Sequence, residues 1–94
     1  MEIKRRQIGS KGMFYVENDG NIQAQMVYHT TSPTHLVIEH TEVDDELRGQ
    51  NVGYQLVHAA VEYARQSNIK LTVWCPFAKS VFEKKPEWND VLNK

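Results

Sequence analysis

Apolar and polar residues alternate along the first half of the chain and recur at three- and four-residue intervals along part of the second. Met13-Phe14-Tyr15-Val16 is a short β-prone run, and Asn18-Asp19-Gly20-Asn21 concentrates residues that favour turns. Beyond the turn, Ile22, Ala24, Met26 and Tyr28 alternate with Gln23, Gln25 and His29, the period of a half-buried strand. The two segments together predict a β-hairpin. Ile3 and Ile8 mark an earlier edge strand, made very polar by Lys4-Arg5-Arg6-Gln7. Ser32-Pro33 interrupts the pattern. In the next segment, His35 to His40, the unbroken run Leu36, Val37, Ile38 predicts a strand covered on both faces.

Residues 41–53 read as a polar loop leading into a helix. In that helix Val52, Leu56, Ala59, Ala60, Tyr63 and Ala64 line one face, and Ser67-Asn68 closes it. Ile69, Leu71, Val73 and Cys75 then alternate with Lys70, Thr72 and Trp74 in a last strand, which Pro76 stops. A short helix is expected around Lys79–Lys85, with Pro86 at its end. A strand–helix–strand unit of this length favours a right-handed crossover between parallel neighbours. Earlier hairpins extend the sheet antiparallel. The predicted class is α+β, with a mixed, mostly antiparallel sheet.

Composition narrows the function. Ninety-four residues fit one domain, 1–94, with no repeat, linker or low-complexity tract to divide it. Eleven basic against twelve acidic side chains leave a net charge of -1, which disfavours general nucleic-acid binding. The single cysteine, Cys75, excludes an intramolecular disulfide and a Cys-pair zinc site. His29, His35 and His58 have no metal-ligand spacing, so no metal site is expected. No apolar run follows the basic start, and none approaches the roughly 20 residues of a membrane span. A cytoplasmic chain that binds no membrane is the expectation.

The segment richest in chemistry is Arg48-Gly49-Gln50-Asn51-Val52-Gly53, between an apolar strand and the start of an amphipathic helix. A helix N-terminus offers unpaired N–H groups and the positive end of the helix dipole. Glycines there let the backbone approach an anion, most often a phosphate. No Gly-Lys-Ser/Thr follows, so this is not a Walker loop, and Gly49 and Gly53 lack Rossmann spacing. A purely structural reading also exists: Gly49 serves turn geometry and Gly53 allows close helix–sheet packing.

Val43 followed by Leu47-Arg48-Gly49-Gln50-Asn51-Val52-Gly53-Tyr54-Gln55-Leu56-Val57 resembles the acetyl-CoA loop of the GNAT acetyltransferases. Their pattern is Gln/Arg-x-x-Gly-x-Gly/Ala at the head of a helix. Arg48 matches its first position and Gly53 its last, while Asn51 replaces the central Gly. Asn is the non-glycine residue that best tolerates positive φ. The stretch from His40 to Gln50 further resembles a subgroup of very small, stand-alone GNAT-like proteins.

The resemblance implies acetyl-CoA as cosubstrate and transfer of its acetyl group to an amine, with a protein or peptide among the open acceptors. It places the pyrophosphate on the amides of Arg48, Gly49, Gln50, Asn51, Val52 and Gly53, with Tyr54 beside them. Val43 would lie along the pantetheine. The thioester would sit where the strands at 36–42 and 69–75 splay, and the crevice rule for parallel strands selects the same place.

His40 and Cys75 fall at the ends of those strands and would meet across the cleft if they share a face. A histidine there can take a proton from an attacking amine, and a thiol can contact the thioester or accept the acetyl group. Glu39 and Glu42 are rival bases. Glu39 and His40 point to opposite faces unless a bulge intervenes. Ala78-Lys-Ser-Val-Phe82 resembles a stretch in which the family carries a Tyr general acid; Phe82 has no hydroxyl. Trp74, Trp88 and Phe82 are expected to pack, and Lys4-Arg5-Arg6 to form a solvated edge. A non-catalytic CoA-binding module is the alternative to an enzyme. So short a chain leaves little room for substrate-facing elaboration and implies an open acceptor site.

Overall fold

In a computed structural model that describes residues 2–47 and 49–93, the alternating segments form one five-stranded sheet in chain order. The strands are β1 (Lys4–Ile8), β2 (Lys11–Asn18), β3 (Asn21–Ser32), β4 (His35–Val43) and β5 (Lys70–Val73). The first four pair antiparallel, and β4 pairs β5 in parallel. Asp19 and Gly20 both take positive φ, 52° and 81°, as a two-residue hairpin turn requires.

Two helices follow from the second half. Helix α1 (Val52–Ser67) connects β4 to β5, and α2 (Pro76–Lys84) follows β5. Asn68 closes α1 in the left-handed region, its N–H donating to the Ala64 carbonyl. The buried stripe of α1 is Val52, Gly53, Leu56, Val57, Ala60, Val61 and Ala64, so the predicted face gains Val57 and Val61. Ala59 and Tyr63 sit at its margin.

Both helices pack on one face of the sheet. The core joins Phe14, Val16, Ala24, Met26, Tyr28, Leu36 and Ile38 to Leu56, Val57, Ala60, Val61, Ala78, Val81 and Phe82. Within each of β2, β3 and β4 these residues alternate along the strand, as the two-residue period demands. On the opposite face no described helix lies. Val37 is buried there, as the apolar run predicted, but its cross-strand neighbours His29 and Thr72 stand in place of a second layer.

Three predicted boundaries shift. Thr41, Glu42 and Val43 continue β4 instead of opening the loop, because β3 extends beside them as a pairing partner. The last strand stops at Val73, two residues early, and Pro76 begins a helix where a loop was expected. Proline suits a first helical position, where its missing N–H has no partner to lose. Pro86 likewise opens a 3-10 turn, Pro86–Val91, whose Trp88 and Val91 enter the core. Trp74, expected to pack, keeps 59% of its surface exposed.

Candidate active site

The pairing of β4 with β5 ends at Ile38 and Val73, with one further bond from the Trp74 N–H to the Ile38 carbonyl (2.9 Å). Beyond that point β4 runs on to Val43 while the chain after β5 turns into α2, so the two part. A register shift sits at the same place: Val27 faces His40, but Tyr28 faces Ile38, leaving Glu39 as an extra residue in β4.

The bulge decides where each candidate points. It brings Glu39 and His40 onto the same open face and turns Thr41 and Val43 inward, opposite the buried Met26 and Ala24. His40 and Cys75 therefore do not meet. The His40 side chain is 53% exposed, its Nε2 lying 3.4 Å from Glu42 Oε1. Cys75 is buried on the helix side, and its Sγ–H donates to Thr41 Oγ1 at 3.4 Å. Without the bulge, the two-residue period would have put His40 where Thr41 now stands.

On the helix face, a cleft of about 480 Å³ opens between the loop before α1 and the outer side of α2. Its lining includes Val43, Leu47, Gly49, Asn51, Val52, Gly53 and Tyr54, and from α2 Phe77, Ser80, Val81, Lys84 with Lys85 just beyond. Leu47, at the end of a 3-10 turn (Asp45–Leu47), is buried and anchors the loop. Gly49 takes φ +87°, and Asn51 takes φ 58°, ψ 30°. Asn51 thus adopts the left-handed conformation that the position demands.

At this junction the Gln55 N–H donates to the Asn51 carbonyl (3.0 Å), and Gln55 Nε2 donates back to the Gln50 carbonyl (3.3 Å). No described group accepts from the N–H of Gly53 or Tyr54. Gly53 is buried, and a Cβ there would run into the ring of Phe77. Its close approach is to α2, where helix–sheet packing had been the structural expectation. Arg48 lies outside the described residues.

Sequence reasoning missed the far wall of this cleft. Phe77, Ser80, Val81 and Lys84 follow the i, i+3, i+4, i+7 spacing of one helix face, a signal legible in the sequence once the helix is started at Pro76. Lys85 Nζ lies 5.3 Å from the centre of the Tyr54 ring, near enough to be held over it. Two cations, a glycine cradle and free amides make this cleft suited to a phosphate-bearing ligand. Phe82 is buried against Trp88, with ring centres 6.2 Å apart, and takes no part in the lining.

The open face holds a second missed group. His29 Nδ1 lies 2.7 Å from Glu39 Oε1, which also accepts from Lys11 Nζ at 2.8 Å. Hydrogen bonds from Lys11 first and His29 second hold the Glu39 carboxyl below the usual carboxylate range. The His29 and Trp74 rings lie 5.7 Å apart. Only the strand register could have paired His29 with Glu39.

The family model for GCN5-related N-acetyltransferases matches residues 13–91. The chain belongs to this family. Acetyl-CoA is the acetyl donor in the reaction of this acetyltransferase. A GCN5-like protein from Staphylococcus aureus, solved by NMR, is 38% identical over 98% of this chain and 87% of its own, with a TM-score of 0.71. More distant structures share the fold. A ribosomal-protein-alanine N-acetyltransferase from Brucella melitensis is 16% identical (TM-score 0.66), covering 81% of this chain and 61% of its own. A GNAT family acetyltransferase from Elizabethkingia anophelis with acetyl-CoA bound is 16% identical (TM-score 0.61), covering 82% and 53%. Among curated proteins none matches.

Proposed function

We propose that this acetyltransferase transfers the acetyl group to a primary amine on a bulky acceptor, a protein or peptide being the class that fits. The observation that carries the reading is the contrast across the strand gap. A cationic, glycine-lined cleft lies on the helix face, and a sheet face without a helix over it lies on the other. A gap between strands opens to both faces, so donor and acceptor can approach from opposite sides. In this reading residues 1–94 act as one domain.

The amides of Gly49, Asn51, Val52 and Gly53, with Arg48 from the same loop, take the pyrophosphate; the Gln50 N–H, expected to join them, donates instead to the Leu47 carbonyl (3.3 Å). Tyr54 flanks them, and Lys84 and Lys85 face the phosphates from α2. Val43 presents a strand edge to the pantetheine, because β5 has ended beside it. Cys75 borders the gap as a packed wall, its thiol engaged with Thr41. His40 faces the acceptor side.

A non-catalytic CoA-binding module is the second reading, favoured by the loss of a hydroxyl at Phe82. Calorimetry with acetyl-CoA and CoA tests the cleft; absence of binding at millimolar ligand sinks both readings. Release of CoA that depends on an added peptide amine separates enzyme from module. Intact-mass analysis after incubation with acetyl-CoA should show no acetyl group on Cys75.

A further inference from the structure

We propose that His29 is the base that takes the proton from the attacking amine, and that Glu39 is its positioning residue. This inference rests on the amine-acetylation reading above. Of the four histidines, His29 alone combines a ring held on the open face of the sheet with an open nitrogen beside the strand gap. His35 uses both ring nitrogens, on Thr31 and Thr72. His58 is held by Glu62 and against the Trp88 ring, 5.4 Å away, but it stands on α1, off the sheet face that carries the gap. His40 is 53% exposed, and its partner Glu42 is 69% exposed, so nothing holds that ring in one place.

His29 is held. Its side chain is 24% exposed, Nδ1 meets Glu39 at 2.7 Å, and the Trp74 ring stands beside it. An ionised carboxylate accepts a hydrogen bond, so Nδ1 carries the hydrogen and Nε2 carries the lone pair. Nε2 has no hydrogen-bond partner among the described residues. The ring sits opposite Val37, one residue before the last paired position of β4 and β5. The bulge is what brings Glu39 and the gap to the same place.

The charged and titratable groups facing His29 are Lys11 from β2 and Glu39, with His40 and Glu42 farther along β4. From beyond β5 only Trp74, which does not titrate, approaches. In the step itself, the amine nitrogen forms a bond to the acetyl carbonyl carbon. The carbon–sulfur bond breaks, and its electron pair leaves on the sulfur as CoA thiolate. The proton shed by the amine passes to His29 Nε2, and the Glu39 carboxylate stabilises the imidazolium.

The test uses the full chain with acetyl-CoA and two acceptor probes, glycinamide and a short lysine-containing peptide. His29→Gln should lower kcat by about 100-fold or more and abolish the acidic limb of the pH–rate profile. Glu39→Gln should keep the KM for acetyl-CoA and lower kcat, because the ring loses the carboxylate that fixes its Nδ1–H tautomer. Nitrogen NMR of the His29 ring should show the Nδ1–H tautomer in the wild type and a tautomer mixture in Glu39→Gln. The NMR result and the Glu39→Gln split between kcat and KM decide the matter if His29→Gln fails to fold.

The failures are distinguishable. No acetyl-CoA binding by the wild type in calorimetry, or binding without turnover of either probe, overturns the underlying reading and this inference with it. Binding and turnover with an unchanged limb in His29→Gln overturn the inference alone. So does loss of the limb in His40→Gln while His29→Gln retains it.

Discussion

The two faces of the sheet divide the work of the molecule. The helix face buries nearly all the large apolar side chains, with Tyr28, Met26, Leu36, Ile38 and Leu56 fully excluded from water. The open face buries Val37 and Tyr15, half-buries Met13 and Val27, and presents polar groups, among them Lys11, His29, Glu39 and His40. Burial of apolar surface is what drives folding, so stability resides mainly on the first face. Side chains on the second are then free to serve chemistry at small cost to the fold. The strand gap is where the two faces communicate.

Substitutions can break or sharpen this contrast, and the largest effect belongs to the core. Leu56→Ala empties a fully buried site in the second turn of α1 and should cost about 2–5 kcal/mol in urea denaturation. Gly53→Val lies at the junction of core and cleft. The added side chain meets the Phe77 ring, so a loss of about 1–3 kcal/mol is expected, with acetyl-CoA affinity in calorimetry weakened by roughly tenfold or more. Retained affinity there would separate the cleft from the packing of α2.

Asn51→Ala forces a left-handed conformation on a residue that resists it and should cost about 1 kcal/mol, whereas Asn51→Gly should come close to neutral. On the open face the effects on stability shrink. Glu39 has its carboxyl held below the usual range, so its contribution is complete above the ordinary carboxylate value and is lost as pH falls through the lowered one. Glu39→Gln should therefore melt slightly below the wild type at pH 7, by less than about 1 kcal/mol, and converge with it in acid. Smallest of all, Trp74→Ala should change stability by under about 0.5 kcal/mol while raising the KM of the acceptor. A large stability loss at Trp74 would mean that the open face is structural after all.

Most of the fold was legible because each element has a period of its own. The hairpin turn at Asp19-Gly20, the apolar run at 36–38 and the stripe on α1 are local signals, set by φ preferences and side-chain spacing. Proline misled twice. Pro76 and Pro86 each read as a stop, although each opens a helical turn. The residue type says that a backbone donor is missing, and a helix start and a strand end both tolerate that.

The anion-suited loop was legible for the same reason: two glycines and an asparagine before a helix announce a backbone conformation that other residues avoid. Its opposite wall was not, since Lys84 and Lys85 reach the loop only through the packing of α2 on α1. The catalytic candidates were the least legible. A single extra residue at Glu39 reverses the face of everything after it in β4, and no local pattern in the segment announces it.

Sequence by itself thus determined the kinds of element, their order, and the loop conformation that suits a phosphate. These depend on interactions within a few residues. Only the tertiary structure decided that Thr41, and not His40, faces Cys75, and that His29 meets Glu39. Those pairings depend on strand register, a property of two segments together, which neither segment encodes alone.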